Sequence, residues 1–398
     1  MTDGFAYEPR VDAIRRDVEA LTAIGRSSAR PGERQSAAWL ADRLREVGAT
    51  DVAVRPYRYQ PDYALAHGLH NLAGMAACGL GGLLGAALAT AALCSFELEV
   101  SGRRQWLRGL LPAGEGANVT ARIPAAGRQV ATLALVAHHD AANTGLVWHP
   151  RLVAAGAARH QRRRRVDPFM APLEAALALA TLAGLIPGRA PASRLARAAA
   201  AAVLALGAAA DADIARRPTV PGASDNATGV AVCLDLAAAL AASPLAGVEV
   251  LVALPGSEEA GMGGMAAFLD AAALARPSTF VLGLDTLGAG TPIVCTGEGA
   301  MREQRYREAD VRLVEEGAAM AGEPAPARWR IGAWTDPILA VHRGLPAASL
   351  LSMGPGYFPH YHHPTDTAAN VDWSSVGSCA RIAGGVVAAY ARRAGGRI

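Results

Sequence analysis

The stretch "ATLALVAHHD" (residues 131–140) decides the fold. Small and apolar residues run without a break into His138, His139 and Asp140. A short apolar run of this kind reads as a strand buried on both faces, as the strands of a parallel sheet are. Side chains alternate along a strand, so His138 and Asp140 share one side and His139 points to the other. Apolar runs usually end at a turn. This one ends at two imidazoles and a carboxylate.

The pattern repeats outward. "NVTARI" (118–123) reads as a strand joined to the first by the turn "AAGRQ" (125–129), and "TDVAVRPYRYQ" (50–60) alternates as a strand does. "GVEVLVALPG" (247–256), "TFVLGLDTLG" (279–288) and "AASLLSM" (347–353) are further strands. Residues 11–47, 227–243, 309–322 and 373–394 carry helical spacing. Strands alternating with amphipathic helices predict an α/β fold with a mostly parallel sheet.

Acidic and imidazole groups recur where these elements end. Glu258 and Glu259 follow a strand in "LPGSEEAG" (254–261), as does Asp285 in "LGLDTLG" (282–288). Asp225 precedes a helix in "PGASDNATG" (221–229), and His362 lies in "YHHPTDT" (361–367). Ligand sites of open α/β sheets lie outside the carboxyl ends of the strands. Imidazole nitrogen with carboxylate oxygen suits a borderline divalent ion such as zinc. Five ligand candidates exceed what one tetrahedral ion with a bound water needs. Two ions sharing one Asp would use them all, and a second Glu beside a ligand Glu would serve as general base.

Composition narrows the partners. The chain has 398 residues, a net charge of +3, 52% hydrophobic and 5% aromatic residues. Charge is near balance and no basic stripe interleaves with aromatics, so nucleic acid is not an expected partner. All basic residues are Arg. The five cysteines are scattered and lack metal spacing, and "MTDGFAYEPRVDAIRRDVEAL" (1–21) is too polar for a signal peptide; both favour a reducing cytoplasm. "GMGGM" (261–265) lacks the Lys and Ser/Thr of a phosphate loop and reads as close packing.

"HHD", "GASDNATGVA", "GSEEAG", "LDTLG" and "YHHPTDT" together resemble, in order and spacing, the motifs of the M28 family of zinc aminopeptidases. The resemblance covers roughly 12–60, 116–145 and 218–396. It implies a three-layer α/β/α sandwich around a mixed, mainly parallel sheet, and a zinc-dependent aminopeptidase acting on peptides. By this resemblance two zinc ions per chain are held, one by His138 and Asp285 and the other by Glu259 and His362, with Asp225 bridging. Glu258 resembles the general base, and Asp140 the carboxylate that orients His138. Asn226 follows the bridging Asp, where the family often has a cis peptide. Asp336, in "WTDP" (334–337), resembles a supporting residue. His363 stands where the family commonly has a small hydroxyl residue, which leaves the choice between His362 and His363 open. Related glutaminyl-peptide cyclotransferases have similar ligands but one zinc; a carboxypeptidase, or an inactive receptor or scaffold on the same fold, are further alternatives.

Two segments depart from the family pattern. Residues 63–96 contain no Asp, Glu or Arg, and 166–211 holds two Ala/Leu-rich stretches separated by "PGRAPASR" (187–194). The catalytic domain is therefore expected from 1–62, 97–165 and 212–398, with 63–96 as a hydrophobic insertion and 166–211 as a helical hairpin. Each segment must return to the side it left, so membrane spans would come in pairs; 63–96 is short for two. "RHQRRRR" (159–165) beside an apolar segment fits a cytoplasmic flank. The expectation is a bacterial cell-membrane protein with its catalytic domain facing the cytoplasm, the alternative being a soluble cytoplasmic one. Oligomeric state is not legible.

Overall fold

The computed structural model describes residues 5–186 and 190–396; the start of the "PGRAPASR" separator and both chain ends lie outside these. The chain opens with α1 (Val11–Thr22), α2 (Pro31–Glu46) and β1 (Thr50–Tyr59), then α3 (Ala64–Leu80) and α4 (Gly82–Val100). Strands β2 (Gly114–Ile123) and β3 (Ala126–Val136) follow, then α5 (Pro150–Val153), α6 (Ala157–Arg163), α7 (Ala171–Leu185), α8 (Pro191–Arg216) and α9 (Thr228–Ala242). The remainder is β4 (Ala246–Leu254), α10 (Gly263–Ala271), β5 (Thr279–Leu284), β6 (Thr291–Glu298), β7 (Gln304–Arg305), α11 (Glu308–Met320), β8 (Ala327–Ile331), α12 (Asp336–His342), β9 (Ala347–Met353) and α13 (Trp373–Gly395).

The strands form one sheet in the order β1-β2-β4-β3-β5-β9-β6-β7, with β8 also paired to β6. Its centre, β4-β3-β5-β9, is parallel; β1, β2 and β6 enter antiparallel, so the sheet is mixed. Leu133 to Val136 of β3 are all buried, as the apolar run predicted. Helices cover both faces. Phe280 of β5 stacks on Tyr390 of α13, whereas a Cβ at Gly283 would meet Pro337 of α12 at 2.1 Å. Odd and even positions of a strand face opposite ways, so α12 and α13 lie on different sides of the sheet. In α1, Ile14, Val18 and Leu21 form the buried stripe. Asp372 caps α13 by accepting from the backbone N–H groups of Ser374 and Ser375. The 11–47 helical reading divides into α1 and α2, and β6, β8, α10 and α12 were not read from the sequence at all.

The two hydrophobic segments pack together. Helices α3, α4, α7 and α8 form a four-helix bundle with its own core, including Ala77, Ala89, Phe96, Leu177 and Leu204. Segment 63–96 is the hairpin of α3 and α4. Its joint, Gly81–Gly82, has φ of +60° and +57° at successive residues, a backbone that only glycine adopts without cost. Small residues let the helices approach: a Cβ at Gly74 would lie 2.5 Å from Leu177, and one at Gly184 only 2.8 Å from backbone of Ala86. The basic run is α6 and the residues after it. There the Arg164 carbonyl and the Val166 N–H pair with the backbone of Arg330 in β8, and Arg159 pairs with Asp167.

Candidate metal centre

Parallel strands deliver the site. His138 and Asp140 follow β3, Glu258 and Glu259 follow β4, Asp285 follows β5, and His362 lies in the loop after β9. Asp225 sits in the turn that starts α9. The carboxyl ends of three adjacent strands and one helix start therefore converge on a single point.

The geometry divides into halves around Asp225. Its Oδ1 is 3.4 Å from His138 Nε2, and its Oδ2 is 3.4 Å from His362 Nε2. On the first side Asp285 Oδ1 is 4.0 Å from His138 Nε2. On the second, Glu259 Oε2 is 3.0 Å from His362 Nε2. Glu258 Oε2 lies 3.9 Å from His138 Nε2. Ligand atoms of His138, Asp225 and Glu259 all fall within 4.8 Å of one another.

Asp140 lies behind His138. Its Oδ1 is 3.3 Å from His138 Nδ1, and its two oxygens accept the backbone N–H groups of Glu258 (3.0 Å) and Glu259 (3.1 Å). Ser28 donates to it at 2.6 Å. One carboxylate thus orients the imidazole and fixes the loop that carries both glutamates, the kind of support that metal-bound histidines require. Asn226 joins Asp225 through a cis peptide bond; its side chain donates to Leu284 O and accepts from Gly229 and Thr286, tying the start of α9 to the end of β5.

His139 points away, with its ring nitrogens 2.8 Å from the Ser36 hydroxyl and 2.8 Å from Ala117 O. His363 pairs with Thr365 at the surface, so His362 is the one beside Glu259. Asp336 is buried at the start of α12 and, among the described residues, neither carboxylate oxygen is hydrogen-bonded or ion-paired.

Other contributors escaped the sequence reading. Asp366 accepts the N–H groups of Ser224 (2.8 Å) and Asp225 (3.1 Å). It stands in the quoted "YHHPTDT", the one signal that pointed to it. Glu33 accepts from Ala29, Ala117, Ser257 and Tyr57 and so clamps the loop before Glu258. Tyr361 stacks on His362, and Trp148 meets it edge-on at 4.6 Å. Trp148 lies in the long interval between His138 and Asp225, where no motif marked it.

The electrostatics call for cations. Asp140, Asp225, Glu258, Glu259 and Asp285 crowd two imidazoles, and the side chains of Glu258 and Asp285 are each only 12% exposed. Burial pushes Glu258 well above the usual carboxylate range and Asp285 up to about 6. Burial also lowers the imidazoles, but carboxylates outweigh it: Glu258 leads for His138, and Glu259 lifts His362 to about 10. Glu259 Oε1 has no hydrogen-bond partner among the described residues. A buried surplus of negative charge around two imidazoles, with an unpartnered carboxylate oxygen, fits divalent metal such as zinc.

Fold and donor set define a zinc-exopeptidase architecture. Residues 194–387, just under half of the chain, match the model of peptidase family M28, a stretch that holds all the quoted motifs except "HHD". No curated protein sequence matches the chain. Among solved structures, an aminopeptidase from Aneurinibacillus sp. is 14% identical with a TM-score of 0.58, covering 96% of this chain and 93% of that one. A leucine aminopeptidase precursor and a glutaminyl cyclase, both from Bacteroides thetaiotaomicron, are each 12% identical with TM-scores of 0.57, covering 96% of this chain and 98% of theirs. At such identities these likenesses show the fold alone; the family match supports a peptidase-type enzyme.

Proposed function

We propose that the protein is a zinc-dependent aminopeptidase that removes N-terminal residues from peptides. The observation that carries this reading is Asp225, whose two oxygens face His138 and His362 at 3.4 Å each. That is the arrangement of a carboxylate shared between two ions. His138 and Asp285 would hold one zinc, and Glu259 and His362 the other. Bound zinc supplies a water of lowered pKa and polarises the scissile carbonyl. Glu258, whose carboxylate lies 3.9 Å from His138 Nε2, takes the proton of the attacking water and passes it to the leaving amine. Asp140 holds Glu258 and His138 in register for that transfer. Trp148 and Tyr361 wall the His362 ring and keep bulk water from it.

Metal analysis, with activity on a panel of aminoacyl p-nitroanilides, tests this reading. Near two zinc ions per chain, and activity lost to chelation and restored by zinc, are expected. One zinc per chain with cyclisation of N-terminal glutaminyl peptides would instead favour the cyclotransferase reading.

We further propose that the bundle seats the protein in a membrane, with the catalytic domain on the cytoplasmic side. Leu83 and Leu84 are 76% and 77% exposed, and Leu182, Leu195 and Leu206 are also exposed. Helices α4 and α8 are long and apolar enough to cross a membrane, and both hairpins leave from and return to the catalytic domain. The last turn of α4, with Glu97 and Glu99, lies at the catalytic domain, so the apolar residues 82–96 extend about 22 Å into a hydrocarbon core of about 30 Å, which favours a hairpin that dips in and returns. Full-length protein should float with liposomes and stay out of the soluble fraction. Detergent-free solubility would overturn this placement.

A further inference from the structure

A pocket opens over Glu258, Glu259 and His362, and one of its walls comes from the inserted helices and the segment after them. Tyr63, His67, Glu99, Val100 and Arg108 form that wall. Within it Arg108 Nε pairs with Glu99 Oε1, and the Arg108 guanidinium lies over the Tyr59 ring at 4.7 Å. The two paired side chains are 4% and 2% exposed. Three polar atoms on residues of this wall, Arg108 Nη1, Glu99 Oε2 and His67 Nδ1, are buried and have no hydrogen-bond partner among the described residues. Buried polar atoms are costly to leave unpaired, so three on residues that line one pocket mark a place where a ligand entering between these side chains supplies the partners.

The charge of the pair selects the ligand. A carboxylate drawn to Arg108 meets Glu99, and an ammonium drawn to Glu99 meets Arg108. A neutral amide suffers neither conflict, because it carries an acceptor and a donor side by side. We propose that Arg108 and Glu99, with His67 beside them, form a subsite for an uncharged amide group of the substrate. The amide C=O accepts from Arg108 Nη1, and its N–H donates to Glu99 Oε2. This rests on the pocket being the peptide-binding site proposed above. Two sources carry the chemistry: a carboxamide side chain on the N-terminal residue, or the next peptide group of the chain.

Two substrate pairs separate them, measured as kcat/KM on full-length protein. Gln- against Met-p-nitroanilide reads the side chain, and Leu-Ala-amide against Leu-p-nitroanilide reads the peptide group. Wild type should favour the amide-bearing member of one pair by about tenfold or more, because a site built to hydrogen-bond a group rejects the analogue lacking it. In Arg108→Met/Glu99→Met that ratio should fall at least tenfold. Replacing a buried ion pair by apolar residues of like volume is often neutral for stability, and the melting temperature reports whether the variant folds. Glu99→Gln leaves Arg108 unpaired and should raise the ratio of Glu- to Gln-p-nitroanilide turnover. Wild-type ratios near those of the double variant in both pairs would overturn the subsite. Should nothing be cleaved, the functional reading fails separately. The subsite is then read from melting temperatures with glutaminol against methioninol, and with the reduced-bond peptide of Leu-Ala-amide against leucinol. Larger shifts with the amide-bearing probe, lost in the double variant, support it, and equal shifts overturn it.

Discussion

Helices α4 and α9 look alike in sequence and meet opposite fates. The segments Gly82–Val100 and Ala223–Ala242 are both long and apolar enough to cross a membrane, yet the first is 44% buried within the fold and the second 78%. In α8 the buried share is 22%. Composition cannot tell a membrane-facing helix from one sealed inside a core; what surrounds it can. Helix α9 packs against α1, α2 and α13 and against the central strands, and it follows the turn that holds Asp225. Helix α4 packs mainly on its bundle neighbours α3 and α7, and its Leu83 and Leu84 face outward.

The sharpest way to divide the two regions is through function. Glu258→Gln should lower kcat by about 10²–10⁴ while metal content and liposome flotation stay as in wild type, so activity would be assigned to the half that holds α9. Next comes a matched pair of truncations. Leu236→Ala in α9, where the side chain is fully buried, should cost about 2–5 kcal/mol of stability in denaturant titrations. Leu84→Ala in α4 should change stability in detergent by no more than about 0.5 kcal/mol; a loss as large as that of Leu236→Ala would show that α4 is a core helix after all. Removing metal should lower the melting temperature, the stability lost being about 2.7 kcal/mol for zinc held at a hundred times its Kd, and should leave flotation intact. The smallest effect is on partition. Leu83→Ser with Leu84→Ser should reduce the floated fraction measurably without altering kcat on Leu-p-nitroanilide.

Strands β3, β4 and β5 and the candidate site residues beyond them were legible because each of these strands is a short apolar run that stops at charged or imidazole groups. His138 and Asp140 could be assigned to one side of β3 by alternation alone. What could not be read was anything set by packing between distant segments. Nothing in "GLGG" or "PGRAPASR" says that their two hairpins join in one bundle; that follows from small residues such as Gly74 and Gly184 meeting partners about a hundred positions away. Glu33 and Asp366 support the site through backbone N–H groups, which have no sequence signature. Arg108 and Glu99 lie in segments that carry no motif, though they line the same pocket as Glu258.

The Gly81–Gly82 joint stands at one end of a hairpin whose other end carries Tyr63, His67 and Val100, three residues of the pocket wall. With α3 extending about 26 Å, this hairpin is a lever arm rooted beside the metal site. A small tilt at its far end is a displacement of the wall at its near end. On the membrane placement proposed above, lipid that bears on the far end of this hairpin bears on the element that walls the pocket.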